Sequence, residues 1–355
     1  MTDPLADTPA VADPHRFDTA SLHRYLREHA QGFDGPLKVE QFKGGQSNPT
    51  FLLMAGDGRY VLRKKPDGAL LPSAHAIERE YRVIRALKDT EVPVAPSVCL
   101  CEDASVVGTP FYVMGFVQGR IFWDPTLPEL QPDERTALYD DINRVIAALH
   151  RVDPSTVGLS DYGRAGDYLA RQIARWSKQY AASATTPCAA MDHLIEWLPS
   201  RVPGVATQSI VHGDLRLDNL IIDPSRPRVI AVLDWELSTL GDPLADLSYH
   251  MLTWDLKPEE FRGMAGADLP ALGIPSAAAY LQRYCDRVGR AAVAQPVWDF
   301  YLIYNLFRLS AILQGIAKRV DEGTAASASA RETGAKARPI AELAWRWARE
   351  RLGAR

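Results

Sequence analysis

Cysteine is scarce in this chain, with four among 355 residues. Cys99 and Cys101 stand two apart in a stretch that reads as a strand, Cys188 and Cys285 stand alone, and no Cys-x-x-Cys pair of the kind that holds zinc occurs. They read as free thiols of a reducing compartment. Long apolar runs are missing as well: nowhere do about 18 uninterrupted apolar residues follow one another, the length that a membrane-crossing helix needs. Neither sign of charge is in excess. Forty Lys and Arg against 44 Asp and Glu give a formal net charge of −4, with no block suited to a nucleic-acid arm or a polybasic membrane patch. The opening MTDPLADTPAVADPH is acidic and broken by proline, unlike a secretory signal or an Arg-rich transit peptide. The expectation is a soluble, cytoplasmic protein without nucleic-acid or membrane partners, its oligomeric state left open.

What is present is ordinary globular composition, 46% hydrophobic and 24% charged, and enough chain for two lobes at about 150 residues per domain. Residues 1–16 read as a flexible tail, and Ser21–Gln31 has helical spacing. In the segment 17–117 the runs LKVEQF, TFLLMA and RYVLRKK read as strands, the last two joined by Gly56-Asp57-Gly58. A helix from Ala74 to Lys88 and strands near Ser97–Glu102 and Phe111–Phe116 complete a five-stranded lobe that ends at Gln118-Gly119. The segment 118–355 reads as mainly helical, at 133–149, 167–180, 296–319 and a closing helix around Leu343. Short strands are expected at Ser209–Val211, Leu220–Asp223 and Arg228–Asp234, and a loose connection at 321–335. The fold class is α+β, with a nucleotide cleft expected between a small sheet lobe and a large helical lobe.

The stretch IVHGDLRLDNLIIDPSRPRVIAVLDWE carries the chemistry. It contains His212-Gly213-Asp214, then Asn219 five residues on and Asp234 twenty on, each expected at the end of an apolar strand. Phosphoryl transfer asks a protein for a carboxylate that orients a hydroxyl and accepts its proton, and for hard oxygen ligands to magnesium. Asp214, Asn219 and Asp234 are residues of those types. The pattern resembles the protein-kinase-like fold, in the branch of aminoglycoside and choline phosphotransferases, whose catalytic loop reads His-Gly-Asp. A closer similarity, to the kinase-like domain fused to some acyl-CoA dehydrogenases, is carried by LRKKPDGALLPSAHAIEREYRV, RQIARWSKQY and LDWELSTLGDPLADLSY. No dehydrogenase portion is read after it.

The resemblance implies a bilobal fold, Asp214 as catalytic base, Asn219 and Asp234 as magnesium ligands, and ATP as phosphate donor. Arg216 takes the place of the catalytic-loop lysine of protein-serine kinases and is expected to neutralise charge on the moving phosphoryl group. Glu236 is a further candidate for metal or water, and Asp246 for bracing the catalytic loop. In the first lobe Gly44-Gly45-Gln46-Ser47-Asn48 would cradle phosphates through backbone N–H groups. Glu80 lies on the apolar stripe Ile77, Val83, Ile84 and Leu87, where a carboxylate needs a partner. Arg63 and Lys64 point to opposite faces of their strand. Spacing admits Lys64 as that partner, while similarity to relatives that end this strand in Leu-Arg favours Arg63. Met114 would border the adenine, with backbone groups of Gly115 and Val117 at its edge.

Only eight residues separate Asp234 from Asp242, too few for the peptide-docking activation loop of protein kinases. The expected acceptor is therefore the hydroxyl of a small molecule. The late helices show no concentration of carboxylates for a polycationic drug, and the resemblance points to a hydroxyacyl metabolite. A non-catalytic nucleotide-binding module and a protein kinase stand as the alternatives.

Overall fold

Short β-branched and aromatic runs separated by turn residues build the expected sheet. The structure is a computed structural model and describes residues 16–42, 48–66, 76–164, 166–204, 208–324 and 329–355. The expected tail therefore lies almost wholly outside the described residues, and so do Gly44, Gly45, Gln46 and Ser47. The described chain forms two compact units.

The first unit opens with α1 (Thr19–His29), two residues ahead of the expected start because the Asp18 carboxylate caps Ala20 and Ser21. Its sheet comprises β1 (Leu37–Gln41), β2 (Thr50–Ala55), β3 (Gly58–Lys64), β4 (Ser97–Cys101) and β5 (Phe111–Gly115), antiparallel in the order β1-β2-β3-β5-β4. Ala55 pairs with Gly58 across the two-residue turn Gly56-Asp57. One sheet face packs Phe51, Leu53, Leu62 and Val113 with Leu22 and Leu26 of α1. Helix α2 (Ile77–Leu87) lies against β4 and β5, with Ile77, Glu80, Val83, Ile84 and Leu87 buried, the stripe expected from spacing.

The expected boundary after residue 117 is not where the chain divides. The first unit runs on to Phe122 and also takes in 155–159 and 217–238. The reason is local pairing: Arg120 exchanges backbone hydrogen bonds with Ile222 (2.7 and 2.9 Å), and the Val232 N–H donates to the Pro93 carbonyl (2.9 Å). Gly119 runs so close to the Ile222 carbonyl that a Cβ there would collide with it. The captured segment forms a hairpin of β7 (Leu220–Ile222) and β8 (Val229–Val232).

The second unit contains α3 (Pro132–Arg151), α4 (Tyr168–Ser183), α5 (Ala189–Trp197), a strand pair β6 (Ser209–Val211) and β9 (Thr239–Gly241), α6 (Pro243–Asp255), short α7 (Pro258–Phe261) and α8 (Leu269–Leu272), α9 (Ala277–Val288), α10 (Gln295–Asp321), α11 (Ala330–Ala335) and α12 (Ala337–Leu352). Helix α10, 27 residues and about 40 Å long, packs against α4, α6, α11 and α12. By length and composition it could cross a membrane, contrary to the reading from uninterrupted runs; Asn305 and Arg308 interrupt its apolar sequence but are themselves buried. The expected loose connection at 321–335 is also corrected. Residues 330–335 form α11, and Gly334 allows close packing there, since a Cβ on it would strike the Ala317 backbone of α10.

Candidate active site

In the first unit the site is built around a buried ion pair. Arg63 leaves β3 towards α2, and its Nη1 lies 3.3 Å from Oε2 of Glu80. Glu80 also accepts from Asn48 Nδ2 (2.9 Å) and the Tyr112 hydroxyl (3.1 Å). The same guanidinium also meets Asp234 Oδ1, 3.2 Å from Nη2 and 3.3 Å from Nη1. Although burial works against its charge, Tyr112, Glu80, Asp234 and Glu236 keep Arg63 protonated well above its ordinary value. Burial likewise pushes the Glu80 carboxyl up, against the pull of Arg63. The question left by spacing is thereby answered. Lys64 points to the opposite face, where its Nζ lies 3.5 Å from the Val107 carbonyl and 5.7 Å from the Phe17 ring centroid, so it does not pair with Glu80. Asn48 was expected with the phosphate cradle; its side chain instead braces Glu80 from a fully buried position. Glu78, two residues before Glu80, pairs with Lys65 at 3.1 Å.

The two expected metal ligands are drawn together in this same unit. The Leu233 N–H donates to the Asn219 carbonyl (2.8 Å), placing the residue before Asp234 against Asn219. Asn219 closes a short turn ahead of β7 rather than ending a strand. Asp234 follows β8 with a left-handed backbone, φ 65°, a conformation that costs a non-glycine residue about 1 kcal/mol or more. Buried Trp235 holds it there through Nε1 donating to the Val232 carbonyl (3.0 Å). Among the described residues no three His, Cys, Asp or Glu side chains cluster for a metal. The donors on offer are one carboxylate and one amide oxygen, which suit a hard cation that retains several waters.

At the other end of β5, Met114 is buried and Val117 half-buried. The Gly115 N–H already donates to the Pro96 carbonyl (2.7 Å) and the Phe116 N–H to the Arg59 carbonyl (3.0 Å). The edge expected at Gly115 is therefore reduced to its carbonyl.

The second unit holds the His212-Gly213-Asp214 loop that follows β6. Its frame is Asp246, one turn into α6, whose carboxylate accepts from the backbone N–H of His212 (2.7 Å) and of Gly213 (2.8 Å) and meets His150 Nε2 at 3.3 Å. Asp246 thus braces the loop as expected, and Asp242 caps α6 by accepting from the Leu244 N–H (2.9 Å). Asp242 also accepts from the Tyr301 hydroxyl (2.5 Å). Asp214 lies beside Arg216, with Nε 3.3 Å from Oδ1, and accepts from the Tyr249 hydroxyl. Burial raises its pKa, yet the Arg216 and Arg308 cations and the Tyr249 hydrogen bond hold it below the usual carboxylate value. Such a carboxylate is an anion at neutral pH, able to orient a hydroxyl and receive its proton.

Comparison with known proteins identifies the family. A model of the phosphotransferase enzyme family (APH) matches residues 38–295. The chain belongs to that family. Acyl-CoA dehydrogenase family member 10 of Mus musculus is 47% identical over 335 residues, covering 92% of this chain and 31% of that protein. The chain spans less than half the length of the curated relatives that it matches, 31% to 46% among the most similar. A crystal structure from Ralstonia eutropha, assigned to the aminoglycoside phosphotransferases, is 54% identical with a TM-score of 0.86 and covers 94% of this chain and 99% of its own. Choline kinase from Cryptosporidium parvum, 12% identical with a TM-score of 0.62 over 94% of this chain and 96% of its own, shares the fold. The fold of this family member is protein-kinase-like and α+β, as the resemblance implied.

Sequence reasoning missed the aromatic partners. Tyr112 neighbours Arg63 in the β3–β5 register, and Tyr249 stands three residues after Asp246 on α6. That helical spacing was a usable signal for Tyr249, while His150, 96 residues before Asp246, carried no local one.

Two outcomes follow for the buried carboxylates. Glu80→Ala should cost about 3–5 kcal/mol in denaturant unfolding by leaving the buried Arg63 charge with the part-exposed Asp234 alone, and adding Arg63→Met to it should recover much of that loss. Asp246 titrates below its ordinary value because, against burial, its bonds to His150 and the loop N–H groups favour the anion. Its stabilisation is complete above the unfolded pKa of about 3.9 and is lost as pH falls through the lower folded value. Asp246→Asn should therefore destabilise most at neutral pH and converge with the wild type in acid, as urea midpoints from pH 7 to pH 2 would show.

Proposed function

We propose that this phosphotransferase moves the γ-phosphate of ATP, with Mg2+, to the hydroxyl of a small molecule, and that the acceptor is a hydroxyacyl metabolite. The observation that carries the reading is Asp214, a carboxylate kept anionic by Arg216, Arg308 and Tyr249 on a loop locked by Asp246. The acceptor oxygen attacks the γ-phosphorus, the bond to the bridging oxygen of ADP breaks, and the hydroxyl proton passes to Asp214. Arg216 offsets charge gathering on the transferred group. Asn219 and Asp234 would hold the magnesium, which supplies positive charge to the phosphates. Arg63, oriented by Glu80, would clamp phosphate oxygens together with backbone N–H groups of Gly44, Gly45, Gln46 and Ser47. Met114, the Gly115 carbonyl and Val117 would receive the adenine.

Support for a small acceptor comes from the Asp234–Asp242 connection, filled by one tight turn and the three residues of β9. Support for an acyl acceptor comes from the names of the relatives, which place comparable sequence in acyl-CoA dehydrogenase family members. Asp214→Asn should leave the calorimetric affinity for MgATP within a few-fold of wild type and lower phosphate transfer at least about a hundredfold. Transfer is to be read by mass spectrometry on a panel of hydroxylated acyl compounds. Undiminished transfer by that variant would remove Asp214 from its role.

A further inference from the structure

Arg308 lies mid-way along α10, 5% exposed, and among the described residues no carboxylate stands within ion-pair distance of its guanidinium. The carboxylate whose charge acts on it, Asp214, makes no direct ion pair with it, and a buried charge left without direct contact to its counter-ion is costly. Two aromatic faces offset that cost: the guanidinium carbon is 5.5 Å from the Trp176 ring centroid on α4 and 4.7 Å from that of Tyr249 on α6. Its Nη2 donates to the Gly213 carbonyl. Tyr249, besides stacking on Arg308, donates its hydroxyl to Asp214. Gly213 has φ 84°, so the backbone just before Asp214 is at the one residue type that rotates there freely. Its N–H is tied to Asp246, and its carbonyl, at the peptide that leads into Asp214, is tied to Arg308.

We propose that Arg308 is a positioning residue of the catalytic loop: held between the Trp176 and Tyr249 rings, it fixes the Gly213 carbonyl and so the direction in which the Asp214 carboxylate leaves the backbone. Its consequence for turnover rests on the phosphotransferase reading above. A lysine could carry the charge but lacks the flat guanidinium that stacks on two rings while donating at its edge. The Tyr249 ring supports Arg308, whereas its hydroxyl acts on Asp214 directly.

The test uses the full chain and three variants, Arg308→Met, Arg308→Lys and Tyr249→Phe, with MgATP as the probe and water as the slow phosphate acceptor. Amide hydrogen exchange of the 209–216 segment without ligand should accelerate at least tenfold in Arg308→Met and Arg308→Lys, with exchange in β2 and β3 unchanged. In Tyr249→Phe, which keeps the ring, that segment should exchange as in the wild type. The kcat for MgATP hydrolysis should fall about a hundredfold in Arg308→Met, the scale of a misplaced catalytic group, with KM for MgATP within threefold. In an Asp214→Asn background Arg308→Met should lower it no further. Wild-type exchange of 209–216 in folded Arg308→Met or Arg308→Lys would overturn the proposal, as would a raised KM at unchanged kcat. Should Arg308→Met fail to fold, Arg308→Lys carries both readouts. Absence of any hydrolysis or transfer by the wild type would sink the phosphotransferase reading, while the exchange experiment would still decide the role of Arg308.

Discussion

A single buried carboxylate sets the geometry of the His-Gly-Asp loop. Asp246 accepts the N–H groups of His212 and Gly213 in succession, and His150 closes the arrangement from α3. Two adjacent backbone donors aimed at one carboxylate fix the loop more tightly than either bond alone, because rotation of one peptide breaks the other's alignment. The arrangement depends in turn on α6 starting where it does. Pro243 at the first helical position and the Asp242 cap set that start, which brings Asp246 one turn later beneath the loop.

The first unit solves a related problem with opposite polarity. There the organising element is a cation, Arg63, between the carboxylates of Glu80 and Asp234. Glu80 is tied down by Asn48 and Tyr112, so Arg63 has one rigid neighbour and one that is 34% exposed. The exposed neighbour, Asp234, is the residue with the strained backbone. One guanidinium thus joins a partner fixed by three bonds to one that is partly exposed.

Much of this was legible in the residues themselves. The α2 stripe with Glu80 on it, the β2–β3 turn, the Asp242-Pro243 start and the His-Gly-Asp loop are local patterns whose period or spacing carries their meaning. What escaped was long-range. Whether Asn48 meets a phosphate or a carboxylate depends on α2, 32 residues on, and the pairing of Arg120 with Ile222 spans about a hundred positions. The neighbours of Arg308 are long-range in the same way: two aromatic rings and a carbonyl, contributed by three separate segments. The expected lobe boundary failed for the same reason, since composition shows where strands stop but not which later hairpin returns to them.

That returning hairpin makes the polypeptide indivisible. The chain leaves the sheet-bearing unit after Phe122, revisits it at 155–159, and enters it again for 217–238 before departing for good. No single cut can release the sheet with all the pieces that complete it: severing the chain after residue 122 would leave Asn219 and Asp234 on the other fragment.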